Sequence, residues 1–334
     1  MEMRRLGRTD MKVTAISFGA LPIQRCSMDE AGPVLHAALD AGINFFDTAR
    51  AYTDSEAKIG RYISSRRKEY YLADKSMART KAGILKDIDI SLGNMKTDTI
   101  DLYQIHNIKE QKDLDAVLAP DGALEGLKAA QAAGKIRFIG VTGHSIPLLI
   151  QALRTNEFST VQVPFNCIET GALEELFPLA DSLDIGKIAM KPLGGGQITK
   201  TELALRFILA HNVVAIPGMD EVKHIEENLA PAKHFRPLTA VEQRELAEEA
   251  KTIGSNFCRR CGYCMPCAVN IDIPTTFIYH LQYVRYGMTD AIPQRYASLP
   301  AKASACIECG VCESRCPYDL PIRERMKKVA ADLG

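Results

Sequence analysis

The chain lacks an excess of charge of either sign: Lys plus Arg and Asp plus Glu number 41 each in 334 residues. No long-range field therefore draws it to nucleic acid, to an anionic membrane or to an acidic substrate, and selectivity has to come from a local site. It also lacks an uninterrupted apolar run of membrane-spanning length. Its start, MEMRRLGRTDMKV, carries basic residues without the apolar stretch of a secretion signal. The expectation is a cytoplasmic protein with no nucleic-acid and no membrane partner. Cysteine is scarce over most of the length. Cys26 and Cys167 stand alone, and the other eight of ten fall between Cys258 and Cys316. In a reducing compartment, so tight a run reads as a metal site before it reads as disulfides.

What is present is a hydrophobic content of 46%, enough in a chain of this length for a large core and a second, smaller domain. Short apolar runs alternate with amphipathic helical stretches. The strands are expected at Thr14–Gly19, Asn44–Asp47, Tyr70–Lys75, Asp101–His106, Ile136–Thr142, Val161–Phe165, Lys187–Pro192 and Val213–Pro217. Helices are expected at Met28–Ala41, Leu124–Ala133, Leu173–Leu183 and Thr201–His211, with Gly42, Gly134 and Gly186 as left-handed caps. A repeat of about 30 residues is the length of a βαβ unit. Eight of them in roughly 220 residues suit a closed (β/α)8 TIM barrel, with an open doubly wound sheet as the alternative. Arg5–Val13, turning at Gly7 and Asp10, is expected to be a hairpin that plugs the barrel's N-terminal end. Residues 1–235 form the expected barrel, 236–253 a connecting helix, and 254–334 a small, mostly helical iron-sulfur domain.

Barrel enzymes carry their chemistry at the C-terminal ends of the strands. There the sequence puts Asp47, with Tyr52 just beyond it, then Lys75, then His106. A phenol can donate a proton to a carbonyl oxygen while hydride reaches the carbon. A nearby ammonium eases that donation, a carboxylate holds the ammonium, and an imidazole orients the carbonyl. Singly, each residue is more often a cap, a surface charge or a satisfied core group; the conjunction changes the reading.

The segments that carry these residues are Phe46-Asp47-Thr48-Ala49 with Tyr52 and Asp54-Ser55-Glu56, Leu72-Ala73-Asp74-Lys75, and Gln104-Ile105-His106. They resemble the signatures of the aldo-keto reductase family. The resemblance implies a catalytic tetrad of Asp47, Tyr52, Lys75 and His106, with Tyr52 as acid. It continues in Gly140-Val141-Thr142, in Gln162 with Asn166, in Lys191-Pro192-Leu193-Gly194-Gly195-Gly196, and in Ile216-Pro217-Gly218 followed by His224, Glu227 and Asn228. It implies that Thr142 and Gln162 hold the nicotinamide amide. Lys191, Leu193, Gly194 and Gly195, with Gly218, His224, Glu227 and Asn228, would hold the pyrophosphate and adenosine end. A glycine-rich loop is independently a phosphate cradle, because backbone N–H groups can approach an anion closely; a plain turn is the bland alternative. The chain departs from the family pattern at Gly218-Met219 and His224, where many NADPH-using members carry Lys-Ser and Arg. It departs again at Gly143-His144, and at Thr53 in place of a glycine. The expected cofactor is NADPH or NADH, and these departures favour NADH or a flavin over tightly held NADPH.

Cys258, Cys261, Cys264 and Cys267 are spaced C-x2-C-x2-C-x2-C, and Cys306, Cys309, Cys312 and Cys316 are spaced C-x2-C-x2-C-x3-C before Pro317. Three cysteines at this spacing wrap one [4Fe-4S] cubane, and the trailing cysteine crosses to the other. The expected sets are Cys258, Cys261 and Cys264 with Cys316, and Cys306, Cys309 and Cys312 with Cys267. Ala268 stands where a proline would follow Cys267. Zinc knuckles are the alternative. From Gly254 onward there are ten Lys and Arg against seven Asp and Glu. That balance either offsets the clusters' negative charge or offers a surface to an acidic, ferredoxin-like electron carrier.

Three functions compete. The first is a nicotinamide-dependent reductase of a small aldehyde or ketone, also able to oxidise an alcohol. The second is an iron-sulfur electron-transfer reductase working through a flavin or a partner protein. The third is a non-enzymic redox-sensing nucleotide-binding protein, against which four converging ionisable groups argue.

Overall fold

The computed structural model describes residues 2–254, 257–286, 288–289 and 291–334. The chain divides into two compact units, one of Met1–Gly194 and Ile198–Thr252, the other of Gly195–Gln197 and Ile253–Gly334.

The first unit opens with β1 (Met3–Arg5) and β2 (Lys12–Thr14), paired antiparallel with Arg4 opposite Val13. Gly7 and Asp10 turn the chain between them, at φ 52° and 54°. Eight parallel strands follow in chain order: β3 (Phe18–Gly19), β4 (Phe45–Asp47), β5 (Tyr71–Ser76), β6 (Ile100–Ile108), β7 (Ile136–Gly143), β8 (Thr160–Pro164), β9 (Gly186–Met190) and β10 (Val214–Ala215). The sheet curls shut between its first and last strands. Ser17 N–H donates to the Ala215 carbonyl at 2.8 Å, Ala215 N–H to Ala15 at 2.9 Å, and Gly19 N–H to Pro217 at 3.0 Å. The expected (β/α)8 barrel therefore forms, and the open-sheet alternative falls.

Two apolar layers hold it. Inside, Leu6 and Met11 of the hairpin loop pack with Val13, Phe45, Ala73, Leu102, Ile188, Val214 and Ile216, so the hairpin stoppers the barrel. Outside, the opposite faces of the strands meet the helices. The helix Met28–Asp40 starts on a capping box, in which Ser27 and Glu30 satisfy each other's backbone N–H groups. The helix Ala240–Ile253 is no free connector. Its Glu249 accepts from Thr199 N–H at 2.7 Å, Thr199 Oγ1 at 2.6 Å and Lys200 N–H at 3.2 Å, which ties it to the chain just ahead of the helix Thr201–Leu209.

The structure corrects one expected cap. Gly186 begins β9 and has no positive φ; the left-handed turn before it is made by Asp184, at φ 52°. Gly186 is small for another reason, since a Cβ there would sit 2.7 Å from Leu6 Cγ of the stopper. The expected helix Leu173–Leu183 is also broken, into a 3-10 turn at Gly171–Leu173 and a helix at Leu176–Ser182.

The second unit is helical. Its helices are Ile273–Tyr286, Ala291–Ala297, Val311–Ser314 and Ile322–Leu333, with no strand among the described residues. Its core is small and includes two cysteines, Cys264 and Cys316, beside Ile273, Phe277, Tyr296 and Met326. So little apolar area needs a staple. Among the described residues, no helix is long and apolar enough to cross a membrane.

Behind β5 lies a buried acidic pair. Glu56 accepts from Arg50, from Ser91 at 2.8 Å and from Asn94 at 2.8 Å. Neither oxygen of fully buried Asp74 has a well-aligned donor. Burial, and then Glu56, push the Asp74 carboxyl well above the usual carboxylate range. A folded value above the unfolded one, near 3.9, gives stability that is complete below about pH 4 and is lost as pH rises. Asp74→Asn supplies a donor toward Glu56 without needing a proton. It is expected to raise stability at pH 8 by about 1–3 kcal/mol, the usual cost of an unsatisfied buried polar group. Urea denaturation should show that gain shrinking toward pH 4; an equal gain at both pH values would contradict the assignment.

Candidate active site and cysteine-lined cavities

At the C-terminal end of the barrel, β4 delivers Asp47, β5 Lys75 and β6 His106, while Tyr52 sits in the loop after β4. Lys75 and Asp47 are 1% and 2% exposed. Lys75 Nζ donates to Asp47 Oδ1 at 2.6 Å and to the Thr48 carbonyl at 2.6 Å. Gln104 donates to Asp47 Oδ2 at 3.2 Å and to Gln162 Oε1 at 3.0 Å, which makes a polar floor under the pair. Above it, Lys75 Nζ lies 5.2 Å from the centre of the Tyr52 ring, and that ring stands edge-on to His106 at 5.9 Å. The four residues picked from separate segments thus share one rim.

Electrostatics divides their roles. Burial pushes the Asp47 carboxyl up against the opposing pull of Lys75. Burial and the cations Lys75, Arg79 and Lys191 hold His106 well below the ordinary imidazole value, so its ring is neutral near pH 7. A neutral imidazole can donate to a carbonyl oxygen without competing for the phenol's proton.

The expected cofactor residues have mixed fates. Thr142 Oγ1 accepts from Asn107 N–H at 2.9 Å, and Gln162 is engaged in the floor. Lys191, at φ 56°, contacts His144 Nε2 at 2.8 Å, and His144 Nδ1 contacts Asn107 Oδ1 at 2.8 Å. A lysine ammonium can only donate, so Nε2 accepts and Nδ1–H points to Asn107. Leu193 is half-buried, and Gly194, at φ 55°, donates to the Lys191 carbonyl at 2.9 Å. Gly195 belongs to the second unit; a Cβ there would sit 2.5 Å from the Arg259 carbonyl oxygen, so close backbone approach already explains that glycine. A Cβ on Gly218 would meet Pro22 at 2.4 Å, again a packing reason. His224 lies 3.1 Å from Asp220; Glu227 is exposed and Asn228 buried.

Sequence reasoning missed Asn107 and Arg79. Arg79 donates to the His106 and Asn107 carbonyls at 2.8 and 2.9 Å and so fixes the end of β6. Position gives one clue, since Asn107 directly follows His106; Arg79 sits in the loop after β5 with no local signal. Thr53, noted for replacing a glycine, has φ 40°, a conformation that favours glycine.

In the second unit the cysteines surround two cavities. One, of about 20 Å³, is lined by Cys258, Cys261, Cys264 and Cys316 with Ile273, Phe277 and Leu320. The other, of about 260 Å³, is lined by Cys267, Cys306, Cys309 and Cys312, with Cys264 at its edge. Cys26 and Cys167 lie apart, and burial pushes the Cys167 thiol up to about 12.

Residues 15–202 match the Aldo/keto reductase family, and residues 257–321 match the 4Fe-4S dicluster domain. L-galactose dehydrogenase of Arabidopsis thaliana is 29% identical over 301 residues, 74% of this chain and 93% of that protein. Among solved structures, the holo form of an aldo-keto reductase from Bacillus halodurans superposes with a TM-score of 0.64 at 23% identity, over 76% of this chain and 98% of that one. An aldo/keto reductase from Klebsiella pneumoniae in complex with NADP and acetate gives 0.63 at 23% identity, over 74% and 94%. At such identities the two structures speak to the fold alone.

The buried ion pair makes a prediction about stability. Lys75→Met leaves Asp47 an uncompensated charge and is expected to cost about 3–5 kcal/mol in urea denaturation. Adding Asp47→Leu should recover most of that loss. No recovery in the double variant would mean that the two residues are not energetically coupled.

Proposed function

Because this chain belongs to the aldo/keto reductase family, we propose that it reduces a small aldehyde or ketone, or oxidises the corresponding alcohol, with Tyr52 as general acid and base. One observation supports this reading: the Tyr52 ring lies 5.2 Å from Lys75 Nζ and edge-on to His106 at 5.9 Å, and Lys75 is locked to Asp47 at 2.6 Å.

Neutral His106 donates to the substrate carbonyl oxygen and sets its angle. Tyr52 passes its phenolic proton to that oxygen as negative charge develops there, and the Lys75 ammonium stabilises the phenolate left behind. Asp47, supported by Gln104, keeps Lys75 aimed. A nicotinamide, when bound, supplies the hydride.

The residues present suit a nucleotide without a 2′-phosphate. His224 is 3.1 Å from Asp220, whose carboxylate also lies 3.9 Å from Arg25, so a phosphate entering this corner would face an acid. The Lys191–His144–Asn107 chain fixes an ammonium near His106, suited to the cofactor's polar ring edge or to a flavin. The two cysteine sets, Cys258, Cys261, Cys264 and Cys316, and Cys267, Cys306, Cys309 and Cys312, would each hold one [4Fe-4S] cluster. Those clusters serve as a staple or as a one-electron relay to a ferredoxin-like carrier. The electron-transfer alternative rests on this second function; it gains if carbonyl substrate reoxidises the reduced protein without nicotinamide.

Tyr52→Phe is expected to lower carbonyl reduction by about 10²–10⁴-fold with nucleotide affinity unchanged. Steady-state assays with short aldehydes, paired with fluorescence titration, test both halves; full turnover in the variant would remove Tyr52 from the chemistry. The same titration should show NADH binding at least as tightly as NADPH, and strong preference for NADPH would overturn the cofactor assignment.

A further inference from the structure

The two cysteine-lined cavities differ in their surroundings. The one with Cys258, Cys261, Cys264 and Cys316 is closed by Ile273, Phe277, Tyr318, Leu320 and Ile322. Arg259, 6% exposed, lines it with its guanidinium clamped between the rings of Phe257, at 3.8 Å, and Tyr318, at 4.0 Å. Half-buried Arg325 lies 5.7 Å from the centre of the Phe277 ring, within electrostatic reach of Cys258 and Cys316.

The cavity with Cys267, Cys306, Cys309 and Cys312 opens to water. Cys309 is exposed, and Ile307 and Val311 beside it are 61% and 45% exposed. Of the two arginines lining it, Arg323 Nε donates to Glu313 at 2.8 Å, and exposed Arg315 donates to the Pro266 carbonyl at 3.2 Å, both in contact with solvent that screens their charge.

Reduction adds one negative charge to a cluster, so its potential follows the local charge and the exposure to solvent. Burial alone makes the enclosed set the harder one to reduce. Guanidinium groups stay ionised when buried, and a fixed positive charge acts far more strongly in apolar surroundings than at a solvated surface.

Resting on the reading of these cysteines as cluster ligands, we propose that Arg325, with Arg259, makes the enclosed Cys258/Cys261/Cys264/Cys316 cluster the resting place of the first electron, and that the exposed Cys267/Cys306/Cys309/Cys312 cluster is the port. An external one-electron carrier of the ferredoxin or flavodoxin class is oxidised by one electron at the port, whose cluster goes from 2+ to 1+. The port then returns to 2+ as the enclosed cluster becomes 1+. No bond is broken and no proton moves.

The test is an anaerobic potentiometric titration of the full chain with dithionite and mediators, followed by electron paramagnetic resonance. Cys309→Ser identifies the port's signal. The enclosed cluster should be reduced first. Arg325→Gln should shift that potential to a more negative value and leave the port's unmoved, whereas Arg325→Lys, which keeps the charge, should hold the native value. Arg259→Gln, made separately, should act in the same direction, so loss of one variant to misfolding still leaves a reading. Arg323→Gln should change the enclosed potential least. If clusters are present and neither arginine variant moves the enclosed potential, or the port is reduced first, the ordering is wrong. If the protein carries zinc instead of iron and sulfide, the ligand reading fails, and the ordering with it.

Discussion

An ammonium and a carboxylate, both shut away from water and 2.6 Å apart, are the constraint around which the barrel mouth is organised. Two such charges are tolerable inside a protein only when each finds a partner and the spare hydrogen-bonding capacity is filled. Here the Thr48 carbonyl takes one proton of Lys75, and Gln104 covers the second oxygen of Asp47. Gln162 then supports Gln104. Residues from β4, β5, β6 and β8 are thereby tied to one point, and the Tyr52 ring lies 5.2 Å from the anchored Lys75 ammonium. The proposed chemistry needs this rigidity, because a proton donor that wanders from its acceptor loses most of its advantage.

Much of the barrel was legible because each strand is a short apolar run that ends at a polar residue. The runs at Asn44–Asp47 and Asp101–His106 appear as Phe45–Asp47 and Ile100–Ile108, whereas the expected Thr14–Gly19 is divided, Thr14 ending the hairpin and Phe18–Gly19 joining the barrel sheet. Gly186 was misread because a glycine after a helix suggests a cap, while the true demand was room for Leu6, a residue about 180 positions earlier in the chain. Gly195 and Gly218 carry the same lesson. Sequence marks them as phosphate-binding glycines, yet each is already required by a neighbour, the Arg259 backbone or Pro22. Spacing cannot distinguish a glycine that admits a ligand from one that admits its own chain.

The site was legible where a motif places several functional groups together, and dim where partners come from separate strands. His144 stood out only as a departure from a pattern; its link between Lys191 and Asn107 requires the barrel to bring the ends of β6, β7 and β9 together, with β8 lying between the last two. Arg79 gave no signal, since its task is to hold two carbonyl groups rather than to meet a ligand. The cysteine spacing, by contrast, is local information, and three thiols within seven residues can be read without any fold. The proposed crossing of Cys316 and Cys267 between sets joins residues far apart in the chain, and the walls of the two cavities group the cysteines in the same way, with Cys264 lining both.

The N-terminal hairpin has a kinetic meaning. With Leu6 and Met11 seated in the lower end of the barrel and the glutamine pair above them, the interior is a blind well. If a substrate and a cofactor both enter at the rim that carries Tyr52, this floor leaves neither a way out beneath the other.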